Sequence, residues 1–283
     1  MAASGYHRPG TVEQAVALLA ADADARPIAG GATLVAMLNA RVIEPPALVS
    51  LAGIAELQGL SATADGGVRI GAFTRHRDTA ASALLHGSLA VVRDAASQIA
   101  NATVRNMGTI GGSIAFADPG LDYPPALVAA AAQIEIAGPA GRRRVPAREF
   151  FVDWYQTALE PAEIVAAVIL PPADARGAGL YVKHARVAGD YATASVAISL
   201  RGDAAVSVAV GGCGPTPIAD DGANTLLSAE RSDAAIARAG AALQALADPL
   251  DDVRGSADYR RTLIPRLLLR AVRAAESAAG ANR

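Results

Sequence analysis

Residues Ala100–Ser113, which read ANATVRNMGTIGGS, decide the architecture of this chain. Gly108, Gly111 and Gly112 crowd together there, with Thr109 between them and Ser113 following. Glycine tolerates positive φ and places no Cβ in a concavity, so successive backbone N–H groups can converge on an anion. The two hydroxyls add donors. A second stretch of the same kind, Ala29-Gly30-Gly31-Ala32-Thr33-Leu34, lies near the N-terminus. Two such turns suit a pyrophosphate gripped from opposite sides, whereas either one alone reads better as a tight strand-to-helix turn. Neither follows the G-x-G-x-x-G spacing of a dinucleotide fold, and no G-x-x-x-x-G-K-S/T run is present, so Rossmann and P-loop sites are excluded.

Outward from these turns the chain reads as mixed α and β. Thr11-Val12-Glu13-Gln14 forms a capping box, after which Val12, Ala15, Val16 and Leu19 share one helical face. Strands are expected at Arg26–Ala29 and Ala47–Leu51, with a helix through Leu38 between them. Further on, Val68–Ile70 is a strand, Thr74 a candidate helix cap and Leu89–Ala100 a helix. Ile134–Ala137 and Arg142–Val145 flank the hairpin signal Gly138-Pro139-Ala140-Gly141, and Glu163–Leu170 is another strand. The Pro172–Gly179 stretch has linker composition. Three antiparallel strands follow (181–186, 193–200, 205–210), then helices at 233–246 and 257–275. The fold class is α+β, in units of 1–57, 58–176 and 177–283.

Composition narrows the function. Net charge is −2 with 18% charged residues, and the only basic run is Arg142-Arg143-Arg144, which excludes a phosphate-tracking surface. That run reads as a solvated edge or a subunit contact. Aromatics are 4%, too few for a base-stacking platform. The most apolar stretch, Ala126–Ile136, contains Gln133 and Glu135 and is too short to span a bilayer. The opening MAASGYHRPG lacks the order of a secretory signal, and a single cysteine, Cys213, fits a reducing cytoplasm. One cysteine also excludes an iron–sulfur cluster held by this chain alone; in its glycine-rich turn Cys213 reads as a small buried filler. His7, His76, His86 and His184 show no metal spacing and read as structural.

Taken together, Ala100–Ser113, Ala117-Asp118-Pro119 and Asp122-Tyr123-Pro124 resemble the flavin signature of the molybdenum hydroxylases. The similarity is to the medium subunit of the carbon monoxide dehydrogenase type and to the flavin domain of xanthine dehydrogenase. Pro27–Leu34 resembles that family's other pyrophosphate loop, and Gly71-Ala72-Phe73-Thr74-Arg75-His76 an element between the two. Tyr181–Arg186, Asp190-Tyr191-Ala192, Gly211–Pro217 and Ser256–Arg261 resemble its smaller C-terminal domain, so the resemblance covers essentially the whole chain.

The resemblance implies a two-subdomain FAD-binding fold of the vanillyl-alcohol oxidase type plus a C-terminal antiparallel sheet-and-helix domain. It implies that Gly30, Gly31, Ala32, Thr33 and Leu34 hold the pyrophosphate from one side, with Ile28 and Ala29 leading in. Thr109, Gly111, Gly112 and Ser113 hold it from the other. Ile99 and Ala100 line the cofactor's path, Asp122 accepts from ribityl hydroxyls, and Val165 contributes backbone contacts. Lys183 and Tyr191 match positions near the isoalloxazine; as bare residues they read equally as a water-facing strand lysine and a half-buried strand tyrosine. Ser113 stands where relatives often carry Asn, Ala32 where many are polar, and Asn39 where a basic residue is common. The first two changes remove side-chain hydrogen bonds but leave the backbone amides.

The same resemblance implies electron transfer rather than substrate chemistry. A small subunit with 2Fe-2S clusters and a large subunit with the molybdenum cofactor are the expected partners, in a dimer of heterotrimers. FAD in this chain would pass electrons to NAD, a quinone, a cytochrome or oxygen. Two rival readings are a stand-alone FAD-dependent oxidase or dehydrogenase, for which no base is evident in the C-terminal third, and a flavin-less scaffold subunit.

Overall fold

The computed structural model describes residues 5–282. The reading of the opening residues Met1–Ser4 lies outside them. The N-terminal unit comprises β1 (Gly5–His7), α1 (Val12–Ala21), β2 (Arg26–Ile28), α2 (Leu34–Asn39) and β3 (Ala47–Ser50). Its sheet is parallel in the order β1-β3-β2. Thr11 Oγ1 caps α1 by accepting from Gln14 N, and the Gln14 side chain accepts from Gly10 N (2.8 Å). The buried face of α1 is Val12, Ala15, Val16 and Leu19, the apolar face read from its spacing.

The second unit runs through β4 (Leu60–Ala62), β5 (Val68–Gly71), α3 (His76–Ala81), α4 (Ala90–Ser97), α5 (Ala102–Met107), α6 (Ile110–Phe116) and α7 (Tyr123–Ala129). It continues through β6 (Gln133–Gly138), β7 (Gly141–Pro146), α8 (Ala147–Phe150), β8 (Phe151–Asp153), β9 (Gln156–Thr157) and β10 (Ile164–Leu170). The five-stranded sheet is antiparallel, ordered β4-β5-β10-β6-β7, so its last strand in sequence occupies its centre. The β6–β7 hairpin turns at Gly138–Gly141 as the glycines predict. Thr74 does not cap α3: Arg75 holds that position, and the Thr74 hydroxyl donates to Gly59 O (2.9 Å).

The third unit opens with β11 (Ala178–His184), β12 (Ala194–Leu200) and β13 (Val206–Gly211), an antiparallel sheet in sequence order. It closes with α9 (Asp221–Ala229), α10 (Asp233–Ala245) and α11 (Ala257–Ala281). All residues of β12 are buried, because both faces of the sheet are covered. Val196, Ile198, Val208 and Val210 pack on α9–α11, while Tyr181, Ala197 and Ala209 join the core of the second unit. Small residues on that inner face let the sheet approach closely: a Cβ on Gly211 would stand 2.7 Å from Pro125 Cγ. Among the described residues no helix is long and apolar enough to cross a membrane.

Candidate functional site

The two glycine segments meet. Gly30 abuts the end of α5 so closely that a Cβ there would lie 1.8 Å from Met107 O. Gly31 adopts φ +75°, the left-handed region in which only glycine is unstrained. Beyond them opens a cavity of about 560 Å³, a size typical of cofactor sites, lined mostly by apolar atoms. Every residue assigned to the cofactor by resemblance lines it except Ile28 and Lys183. Ile28 remains in the β2 ladder, its carbonyl accepting from Leu51 N (2.9 Å).

The segments are not equivalent. Among the described residues, the N–H groups of Gly30, Gly31, Ala32, Thr33 and Leu34 donate to no protein acceptor. Such an array of unpaired amides is a ready anion cradle. The second segment joins α5 to α6, a helix-to-helix connection rather than a strand-to-helix turn. Its amides are largely engaged: Ile110 N donates to Thr74 O (3.0 Å), Gly111 N to Ala72 O (2.8 Å) and Ser113 N to Thr109 O (3.0 Å). Gly112 N donates to the capping Thr109 Oγ1 (3.2 Å). Gly111 is required for packing, since a Cβ would meet Ala72 Cβ at 2.5 Å. Ser113 lines the cavity, and its hydroxyl has no partner among the described residues.

Ala100, at the cavity wall, is a non-glycine residue with φ +41°. Arg105 stabilises this conformation by donating to both Ile99 O (2.7 Å) and Ala100 O (3.0 Å). Val165 lies at an irregularity of the β10–β6 ladder, and the neighbouring Ala166 O accepts from Ala72 N (3.0 Å). Backbone strain and a broken ladder at one cavity are features of ligand sites.

Asp122 is 5% exposed and reaches the cavity from the start of α7. Its Oδ1 accepts from Lys183 Nζ (2.9 Å) and Tyr181 OH (2.7 Å), both on β11. Lys183 therefore does not face water, and it does not line the cavity: Asp122 takes its charge, and Gln98 O accepts a further bond from it (3.2 Å). Burial raises the Asp122 pKa, opposed by the attraction of Lys183 and the hydrogen bonds from Lys183 and Tyr181. Tyr191 is not a strand residue. It sits in the loop between β11 and β12, half-buried at the cavity, with Gly189 and Asp190 beside it.

Sequence reasoning missed Phe116, Leu159, Glu163, Gly189 and Asp190 as lining residues. Glu163 explains part of the arginine run: Arg143 grips it with two bonds (2.8 and 2.6 Å), holding its carboxyl below the usual carboxylate range. Arg142 and Arg144 pair with the largely buried Glu135 (3.3 and 3.2 Å), and Arg142 also with Glu56 (2.9 Å). The run is thus a solvated edge whose arginines are ion-paired along β7, the edge strand of the sheet. His76 is buried against Tyr123 OH (3.2 Å) and behind Gly108 and also lines the cavity, while Cys213 is buried away from it. Among the described residues no cluster suited to a metal ion occurs.

Comparison with known proteins agrees with this layout. The profile described as "FAD binding domain in molybdopterin dehydrogenase" matches residues 2–173, and "CO dehydrogenase flavoprotein C-terminal domain" matches residues 179–275. The chain belongs to this flavoprotein family. The carbon monoxide dehydrogenase medium chain of Hydrogenophaga pseudoflava is 37% identical over 277 residues, covering 95% of this chain and 96% of that one. Its counterpart from Afipia carboxidovorans is 36% identical over 280 residues, covering 97% of each. A solved structure of carbon monoxide dehydrogenase from Hydrogenophaga pseudoflava, lacking the Mo-pyranopterin moiety, superposes with a TM-score of 0.92 at 35% identity. That match covers 96% of this chain and 97% of the other. This medium-subunit flavoprotein is accordingly an oxidoreductase component, with FAD as the cofactor of its N-terminal part.

Proposed function

We propose that this flavoprotein carries electrons from the 2Fe-2S clusters of a small partner subunit to an external acceptor. Substrate oxidation then occurs at the molybdenum cofactor of a large partner subunit. The observation that carries this reading is the row of unpaired amides from Gly30 to Leu34, residues that line a mostly apolar cavity of about 560 Å³. Bound FAD supplies interconversion of one- and two-electron transfer. The protein's part is to hold and orient it. The Gly30–Leu34 amides and the Thr33 hydroxyl bind the pyrophosphate, with Thr109, Gly111, Gly112 and Ser113 closing the opposite side. Ala29, Ile99, Ala100 and Val165 form apolar walls, and Ile28 supports the first loop from its ladder. Asp122 Oδ2, free of partners among the described residues, accepts from ribityl hydroxyls. Lys183 acts through Asp122 by balancing its charge, and Tyr191 covers one face of the ring system.

The single cysteine supports this division of labour, since clusters need thiolates from another chain. We further propose unit boundaries at 1–57, 58–176 and 177–283, a dimer of heterotrimers, a cytoplasmic location, and NAD, a quinone, a cytochrome or oxygen as acceptor. An absorption spectrum of the chain purified alone, then coexpressed with its partner subunits, tests the reading. Flavin absorbance that denaturation releases as FAD, with iron–sulfur absorbance only in the complex, supports it. Bleaching of the lone flavoprotein by a small organic substrate identifies an independent enzyme instead. No flavin in either sample leaves a scaffold.

A further inference from the structure

Outside the cavity, the loop between α10 and α11 folds back onto the cofactor site. Its tight turn spans Asp252–Gly255, where Asp252 Oδ1 accepts from Arg254 N (2.7 Å) and Gly255 N (3.2 Å). From this turn the Arg254 guanidinium lies over the Tyr191 ring, 5.0 Å from its centroid. Arg254 is not a lining residue of the cavity, whereas Tyr191 borders it. Two carboxylates flank the guanidinium: Asp190 Oδ1 (3.3 Å) and Asp252 Oδ2 (3.5 Å). Asp190 Oδ1 also accepts from Tyr191 N (2.8 Å), so the same carboxylate fixes the tyrosine backbone and the arginine on its ring.

The support behind the turn is buried. Arg260, in the first turn of α11, is 5% exposed. It donates to Asp252 as well as to Thr193 O (2.6 Å), just before β12, and Gly212 O (3.0 Å), just after β13, tying the turn to the ends of two strands of the sheet. Gly120 leaves room for Tyr191: a Cβ there would stand 3.3 Å from Tyr191 Cβ and Cδ1. A planar, always-charged group can stack on an aromatic face and bridge two carboxylates at once; an ammonium cannot do both.

We infer that Arg254 is a positioning residue of the flavin site, holding the Tyr191 ring against the cavity from its outer face. The inference rests on the reading that FAD occupies this cavity. Arg254 touches no cofactor; it acts through Tyr191.

The test compares wild type, R254A, R254K, Y191A and R254A/Y191A as full-length chains, deflavinated and titrated with FAD. Dissociation constant, fluorescence of the bound flavin and thermal midpoint are measured for each. R254A should weaken FAD binding about five- to tenfold and raise bound-flavin fluorescence, because a released tyrosine ring quenches less. R254K should recover only part of both effects. In the Y191A background, R254A should change the dissociation constant by less than about twofold, the signature of an effect carried by that ring. An undiminished R254A effect without Tyr191, full rescue by lysine, or an R254A chain that binds FAD like wild type overturns the inference. Should R254A fail to fold, R254K with and without Tyr191 decides on the same criterion. A wild type that takes up no FAD, either alone or coexpressed with its partner subunits, overturns the cofactor reading itself, and this inference with it.

Discussion

Replacing Gly30 by alanine tests whether the two glycine segments act as one grip. The new Cβ would lie 1.8 Å from Met107 O, 2.7 Å from Met107 C and 3.1 Å from Gly108 Cα. All three are backbone atoms, so no side chain can swing aside. Carbon and oxygen rest at about 3.3 Å, so the segments must part by roughly 1.5 Å. Overpacking of this kind costs about 1–3 kcal/mol of stability. The larger effect falls on the cofactor. Moving the loop misaligns at least two amides from a charged pyrophosphate, each such bond contributing about 1.5 kcal/mol or more. The expected loss is therefore about 3 kcal/mol, or on the order of 100-fold in FAD affinity. Titration of the deflavinated chain, paired with a denaturant melt, measures both quantities. Gly59 provides the control: its φ is +78° with nothing within 4 Å of an added Cβ, so G59A should lose stability by strain yet keep FAD affinity. If G30A is destabilised but binds FAD within about threefold of wild type, the paired grip is refuted.

Other expectations concern buried groups. K183M leaves the Asp122 carboxylate without a counter-charge, held only by Tyr181 OH, and should cost about 3–5 kcal/mol in denaturant melts, with D122N/K183M far milder than the sum of its single changes; simple additivity would show that the pair is not coupled. Burial, with a smaller contribution from Arg105, lowers the His76 pKa to about 4. The folded ring is thus neutral while the unfolded one takes a proton, so this contribution to stability is present above the unfolded value and is lost as pH falls from about 6.5 toward 4. The full loss is on the order of 3 kcal/mol, and H76Q should flatten the pH profile between about 6.5 and 5; an unchanged slope would contradict the assignment. Burial pushes the Cys213 thiol up to about 12, so iodoacetamide should label it only after denaturation, and rapid labelling of the native chain would count against its role as a filler.

Local chemistry was the legible part of this molecule. The Thr11 cap, the hairpin at Gly138–Gly141 and the three C-terminal strands rest on short-range signals, and each formed where its residues predict. Helices α5, α6 and α7 were hidden because their sequences serve tertiary demands. Gly111 is glycine to admit Ala72, and Pro124 and Pro125 occupy a first helical turn, where a missing N–H costs nothing. Helix α9 was missed for a different reason: only Ala223 and Leu227 are buried, too few to mark a face. At the site, glycine content gave no means of telling the free amides of Gly30–Leu34 from the engaged amides of the second segment. That difference depends on Ala72 and Thr74, which are remote in sequence. Lys183 likewise turns to a carboxylate 61 positions earlier, and Arg254 to a ring 63 positions earlier.

The central place of β10 bears on how the chain is made. Strands β5 and β6 flank a gap that only residues Ile164–Leu170 can fill, and those residues emerge from the ribosome after all four of their sheet partners. Until then β5 and β6 each present an unpaired inner edge, the kind of surface on which nascent chains stick to one another. Closing the sheet also depends on contacts distant in sequence, which makes the step slow. Yield of this flavoprotein in a foreign host should therefore depend more on translation speed and chaperone supply than on the supply of flavin.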